Sequence, residues 1–132
     1  DMFNELIIRE GSVRNTVGAD GAVEGFSFET HIAYYRGLGL SMVEAPDVVV
    51  DGEAVPVEDL RLRYKGVART FAELADVADV RWELGTFAEI LVRLPGGLAP
   101  GEHEITVNQR LRVSYMPILT ENRFTRKVEV DR

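Results

Sequence analysis

An all-β fold, two packed antiparallel sheets with one short helix, follows from three observations on this 132-residue chain. Apolar residues recur with a period of two, glycine-containing turn pairs separate the runs, and a single segment carries a helix-start signature. Period two marks half-buried strands, because successive side chains point to opposite faces of a sheet. Many short strands with regular turns predict a β-sandwich, jelly-roll or immunoglobulin-like. The length suits one domain over residues 1–132, large enough to bury a core, with no internal repeat, low-complexity tract or linker.

The elements are expected in this order. A short strand spans Leu6–Arg9. Asp20-Gly21 closes a tight hairpin into a second strand that points Val23, Phe26, Phe28, Thr30, Ile32 and Tyr34 inward, with Ser27, Glu29 and His31 opposite. Val48–Val50 follows, then Asp51-Gly52, a pair suited to a type I′ turn with positive φ at both central residues. Leu60–Lys65 is the next strand, and Lys65-Gly66 closes a third hairpin. Thr70-x-x-Glu73 is a capping-box pattern leading into Phe71, Leu74 and Ala75, with room for two or three helical turns before Asp79. Strands at Val80–Leu84 and Ile90–Leu94 come next. The stretch Pro95-Gly96-Gly97 to Pro100-Gly101 makes a compact entry to the longest strand, in which Ile105, Val107, Leu111, Val113 and Tyr115 alternate with polar residues. Phe124–Val130 ends the series.

Composition excludes several function classes. A hydrophobic fraction of 45% with 28% charged residues belongs to a globular chain rather than a disordered one. A formal net charge of −7 repels phosphate backbones and anionic membranes, so neither nucleic acid nor membrane is an expected partner. Cysteine is absent, which removes disulfides and thiolate metal sites. No apolar run approaches the ~20 residues of a membrane span, and no basic-then-apolar leader opens the chain. A soluble cytoplasmic protein is expected.

The search for chemistry returns little. Glu29-x-His31 and the His103/Glu104 pair lack the spacing of a metal motif, and polar strand faces routinely carry Glu and His. No Gly-x-Ser-x-Gly elbow surrounds a serine, and the glycines at 37, 39, 96 and 97 precede no Lys-Ser or Lys-Thr helix start. No catalytic and no metal-ligating residue is therefore assigned. Three clusters stand out: Ile8-Arg-Glu-Gly-Ser-Val-Arg-Asn15, Ala33-Tyr-Tyr-Arg-Gly-Leu-Gly-Leu40, and Val80-Arg-Trp-Glu-Leu84. Tyr and Arg are favoured interface anchors, yet a charged loop and an ordinary strand end read equally well from the sequence. Trp82 falls on the apolar side of its strand, which favours a core position over a ligand-stacking one.

Taken in order, these stretches resemble one family, the β (small) subunit of bacterial C-glycoside deglycosidases. The resemblance rests on Ile8–Asn15, Gly25-Phe-Ser-Phe28 running into Tyr34-Tyr-Arg-Gly37, Val50-Asp-Gly-Glu53, Arg81-Trp-Glu83, and Pro95-Gly-Gly-Leu-Ala-Pro-Gly-Glu-His-Glu104. It spans Met2 to about Pro117, and residues 118–132 add little. It implies an accessory β-sandwich, inactive alone, that packs on a TIM-barrel α subunit. That larger subunit would carry a divalent metal, manganese being the expected ion, and the acid–base residues. No cofactor is expected in this chain. The complex would be a carbon–carbon lyase, cleaving the bond between sugar and aglycone after the sugar is oxidised at C3. On this reading Arg9, Ser12, Arg14, Asn15, Tyr34, Tyr35 and Arg36 meet the large subunit. The alternatives are a stand-alone carbohydrate- or aromatic-binding sandwich that stacks ligands on Trp82, Tyr34 and Tyr35, or a generic interaction module.

Overall fold

The computed structural model describes residues 7–31, 38–112 and 119–131. Its strands are β1 (Arg14–Val17), β2 (Val23–Thr30), β3 (Leu38–Gly39), β4 (Val43–Val50), β5 (Glu53–Ala54), β6 (Leu60–Tyr64), β7 (Val67–Thr70), β8 (Arg81–Trp82), β9 (Ala88–Arg93), β10 (Gly101–Arg112) and β11 (Leu119–Val130). They form a five-stranded sheet in the order β1-β2-β9-β6-β7, a four-stranded sheet β11-β10-β4-β5, and a small β3-β8 pair. Every pairing is antiparallel. The β-rich architecture with one short helix is the expected one. No helix among the described residues is long and apolar enough to cross a membrane.

Alternation builds the core. Phe26 and Phe28 of β2, Ile90 and Val92 of β9, and Leu60 and Leu62 of β6 are buried in one cluster with Val48 of β4 and Ile105, Val107 and Leu111 of β10. Each fully buried side chain of this size contributes about 1.5–3 kcal/mol of transfer free energy. On β2 the outward alternates are Ser27 and Glu29, as the sequence predicts. The Phe26 and Phe28 rings lie 6.5 Å apart. Ile32, Tyr34, Val113 and Tyr115, assigned inward positions from the sequence, lie outside the described residues.

Two of the expected hairpin turns form as read. Asp51 (φ 51°) and Gly52 (φ 86°) join β4 to β5, and Lys65 (φ 51°) and Gly66 (φ 83°) join β6 to β7. Positive φ at both central residues is the type I′ geometry. Asp20-Gly21 differs, because only Gly21 takes a positive φ, 85°. Its connection is longer, running from Gly18 to Ala22, where Gly18 N–H donates to the Ala22 carbonyl at 2.9 Å. The Asp20 carboxylate accepts from the Ala22 amide at 3.0 Å and holds that loop.

The capping box is present. Glu73 N–H donates to Thr70 Oγ1 at 3.1 Å, and Thr70 N–H donates to Glu73 Oε1 at 2.7 Å. The helix it starts, α1 (Phe71–Leu74), has one turn instead of the expected two or three. It tightens beyond Leu74, with Asp76 N–H and Val77 N–H donating three residues back. The Val77 carbonyl then accepts from Ser41 N–H at 3.1 Å, which ties the chain to the turn before β4. Phe71 and Leu74 are buried and cap one end of the core.

Other boundaries move for physical reasons. The strand expected over Leu6–Arg9 does not form across its described part. Ile7 and Ile8 are adjacent and both fully buried, so nothing alternates, and the chain bends. The strand expected at Val80–Leu84 shortens to β8, because Glu83–Thr86 makes a turn closed by Thr86 Oγ1 donating to the Glu83 carbonyl at 2.7 Å. The segment around Arg14, read as a loop, is the edge strand β1, and β3, β5 and β7 are further short strands without an apolar face long enough to read.

Candidate functional site

The Ile8–Asn15 stretch turns onto the edge of the five-stranded sheet, and alternation divides its side chains between fold and surface. Ser12 Oγ donates to the Arg9 carbonyl at 2.6 Å and accepts from Glu29 N–H at 3.0 Å, which fixes the turn into β1. Asn15 points inward and binds the main chain of Leu98 twice, Nδ2 to the carbonyl at 3.0 Å and Oδ1 from the amide at 2.8 Å. Arg9 and Arg14 face out. Arg9 lies over the Phe87 ring, 4.7 Å from its centroid, and pairs with Glu29 at 2.6 Å. Arg14, 65% exposed, reaches Glu89 at 3.4 Å. Of the seven residues expected at a partner contact, these four lie on or beside one sheet edge. Tyr34, Tyr35 and Arg36 lie outside the described residues.

The outer face beside Arg14 was not legible as a unit. Register places Arg14 of β1, Ser27 of β2, Leu91 of β9 and Arg61 of β6 in one row across four strands. The next row carries Glu29, Glu89 and Arg63. The face is a furrow of about 520 Å³, lined by Arg14 and Thr16 on one side and by Arg61 and Arg63 on the other, with Leu91 between them. Gly25 cannot be enlarged, because a Cβ there would sit 1.8 Å from the Val92 carbonyl oxygen. Glu89 accepts from Arg63 Nε at 2.9 Å as well as from Arg14, and Arg93 faces Asp59 at 3.7 Å. Arg61 has no ion-pair partner among the described residues. The alternation Leu60-Arg-Leu-Arg-Tyr64 signals two outward arginines on one strand, but only cross-strand register joins them to Arg14 and Arg93.

The groups equipped for chemistry are committed to the fold. His103, half-buried, lies with Nδ1 2.7 Å from Asp51 Oδ2 and Nε2 2.7 Å from the Ala99 carbonyl. Both partners are acceptors, so the imidazolium alone donates to both. The Asp51 carboxylate and the Ala99 carbonyl raise the His103 pKa, and the bonds from His103 and from the Glu104 amide lower that of Asp51. His31, expected on a polar strand face, is buried instead. Its Nε2 accepts from Gly85 N–H at 3.1 Å and its ring meets Phe87 edge-on. Trp82 is core, 1% exposed, with Nε1–H donating to the Thr86 carbonyl at 3.0 Å, so it offers no ligand platform. Beside it Tyr64 Oη accepts from Glu83 N–H at 2.9 Å and lies 3.1 Å from Thr86 Oγ1. Among the described residues no three His, Asp or Glu side chains gather as a metal ion requires.

Comparison with known proteins is consistent across the chain. The family model for the C-glycoside deglycosidase beta subunit matches residues 3–115. A C-glycoside deglycosidase beta subunit from Eubacterium cellulosolvens is 28% identical over 91% of this chain and 82% of its own length. One from Microbacterium trichothecenolyticum is 33% identical over 89% and 84%. A 3'-dehydrocarminate deglycosidase beta subunit from a Microbacterium species is 33% identical over 89% and 83%.

Proposed function

This chain belongs to the C-glycoside deglycosidase beta subunit family, and we propose that it is the accessory small subunit of a heteromeric carbon–carbon lyase. Its substrates on this reading are C-glycosides whose sugar is oxidised at C3. One relative is named a 3'-dehydrocarminate deglycosidase beta subunit, which supports that substrate class. The 3-oxo group acidifies the proton at C2. Loss of that proton gives an enolate, and elimination from it breaks the bond from C1 to the aglycone, whose carbon keeps the electron pair and takes up a proton, leaving a C1–C2 double bond in the sugar. The acid–base residues and the divalent ion, manganese by expectation, are assigned to a TIM-barrel α subunit, and no step of the reaction is assigned to this chain.

One observation carries the accessory role. The polar side chains here that look equipped for chemistry are spent on main-chain groups: His103 on Ala99, Trp82 on Thr86, Tyr64 on Glu83 and Asn15 on Leu98. A side chain holding a strand end in place is not free to approach a substrate. The contribution of this subunit is then a rigid surface, and we assign the partner contact to the Arg9–Asn15 stretch together with Tyr34, Tyr35 and Arg36. Within that stretch Arg9 and Arg14 present guanidinium groups, while Ser12 and Asn15 set their position. Large planar aromatic and guanidinium groups supply most of the energy of typical interfaces.

The test is assembly. Co-expression with the candidate α subunit followed by size-exclusion chromatography should give one co-eluting complex, and alanine at both Tyr35 and Arg36 should weaken it. Separate elution of the wild-type chains contradicts the reading.

A further inference from the structure

On the outer face of the five-stranded sheet, local charge runs against the acidic balance of the whole chain. In a chain of net charge −7, one furrow gathers Arg14, Arg61, Arg63 and Arg93. The carboxylates about them are fewer: Glu24 and Asp59 in the lining, and Glu89 beside it. Arg14 and Arg63 share the single carboxylate of Glu89, Arg93 faces Asp59 at 3.7 Å, and Arg61 has none among the described residues. The opposite face differs: there Arg110 pairs with Asp47 at 2.6 Å and Glu121 at 3.7 Å, and Arg112 with Glu44 at 2.9 Å, so every arginine of the pair has a carboxylate of its own. Each guanidinium carries five N–H donors in a planar fork that matches carboxylates two at a time. The furrow therefore holds a surplus of directional donors around Leu91.

We infer that this furrow docks a carboxylate-bearing segment of the large subunit, an inference that rests on the assembly proposed above. Charge selects the occupant. An acidic segment satisfies the spare donors and neutralises a positive strip, and like-charged segments are repelled from it. Geometry supports the same choice. Glu89 lies between β1 and β6 and holds Arg14 and Arg63 from either side, so the donors are pre-positioned and lose little freedom on docking. Arg14 also joins this face to the Arg9–Asn15 stretch, so furrow and stretch form one continuous surface. At about 520 Å³ the furrow accepts a short segment and forms part of a contact that must bury upwards of ~1,000 Å².

The experiment measures affinity of the full chain for the large subunit across a salt series, with charge reversal at Arg61 and Arg93. Both are exposed and neither takes part in the Glu89 bridge. R61E/R93E should raise Kd at least about tenfold and flatten its salt dependence, because steering charges are lost. R123E, the same reversal on the other sheet, should stay within about twofold. If the reversal impairs folding by circular dichroism, R61Q/R93Q replaces it, with a smaller increase expected. Wild-type affinity in the furrow variants overturns the inference while leaving the assembly reading intact. So does loss of self-association by this chain with unchanged affinity for the large subunit, which assigns the furrow to a second copy. No binding by the wild-type chain overturns the assembly reading and this inference with it.

Discussion

Asn15 and Leu98 are joined by two hydrogen bonds that copy a strand pairing: the Asn15 amide nitrogen donates to the Leu98 carbonyl at 3.0 Å, and its oxygen accepts from the Leu98 amide at 2.8 Å. The pair ties edge strand β1 to the loop entering β10, eighty-three residues away in sequence. Gly97 is part of the same device, since a Cβ there would lie 2.5 Å from Asn15 Oδ1 and 2.7 Å from Val23 Cγ1.

Asn15→Asp should destabilise the fold by about 1–3 kcal/mol, because the carboxylate cannot donate to the Leu98 carbonyl and a buried acceptor is left unpaired. Urea denaturation checks this through a lower midpoint at unchanged m-value. A loss of assembly without loss of stability would instead make Asn15 a direct contact.

His103 and Asp51 make stability depend on pH in a bounded window. The raised His103 pKa contributes stability that is complete below the ordinary imidazole value of about 6.5 and is lost as pH rises through the raised value. The lowered Asp51 pKa contributes stability that is complete above the ordinary carboxylate value and is lost as pH falls through the lowered one. The stability difference between wild type and H103A should therefore be largest between about pH 4 and pH 6.5 and shrink in alkaline buffer. Urea midpoints at acid, neutral and alkaline pH measure it. A difference that stays constant across this range would remove the charged pair from the account.

Tyr64 and Thr86 form a directional chain. Thr86 Oγ1 gives its only proton to the Glu83 carbonyl, so Tyr64 O–H donates to Thr86 and accepts from the Glu83 amide. Tyr64→Phe removes both bonds next to Trp82, whose ring centroid lies 6.1 Å away. A loss of about 1–2 kcal/mol is expected. Trp82 is the single tryptophan, so its emission reports the site directly and should move toward the solvent-exposed value in Y64F.

Thr70→Ala removes the reciprocal cap of α1 and should cost about 1 kcal/mol. Phe28→Ala, in the middle of the core, should cost about 3–5 kcal/mol. Midpoints from the same urea titration rank the two, and a cap variant worse than the core variant would contradict the packing described.

The sequence made the core legible wherever one face of a strand is apolar. Phe26 and Phe28 alternate with Ser27 and Glu29, and Ile105, Val107 and Leu111 recur on β10, so period two was visible. Edge strand β1 escaped because its inward residue is Asn15, a polar group that pairs with backbone instead of packing. Ile7 and Ile8 misled for the opposite reason, since two adjacent buried residues imitate a strand fragment while the chain bends. Trp82 was legible as core from the side of β8 it occupies. The arginine furrow was not, because its members come from β1, β6 and β9 and meet only through register. Motif resemblance carried the family, as it rests on ordered local stretches that do not depend on tertiary contacts.

The central claim is that this chain completes an enzyme it does not itself constitute. The direct measurement is the rate of aglycone release from a 3-oxo-C-glucoside, with manganese present, by this chain, by the α subunit, and by their equimolar mixture. The account predicts release by the mixture and none by either chain alone. Full activity of the α subunit by itself, unchanged on adding this chain, would contradict it.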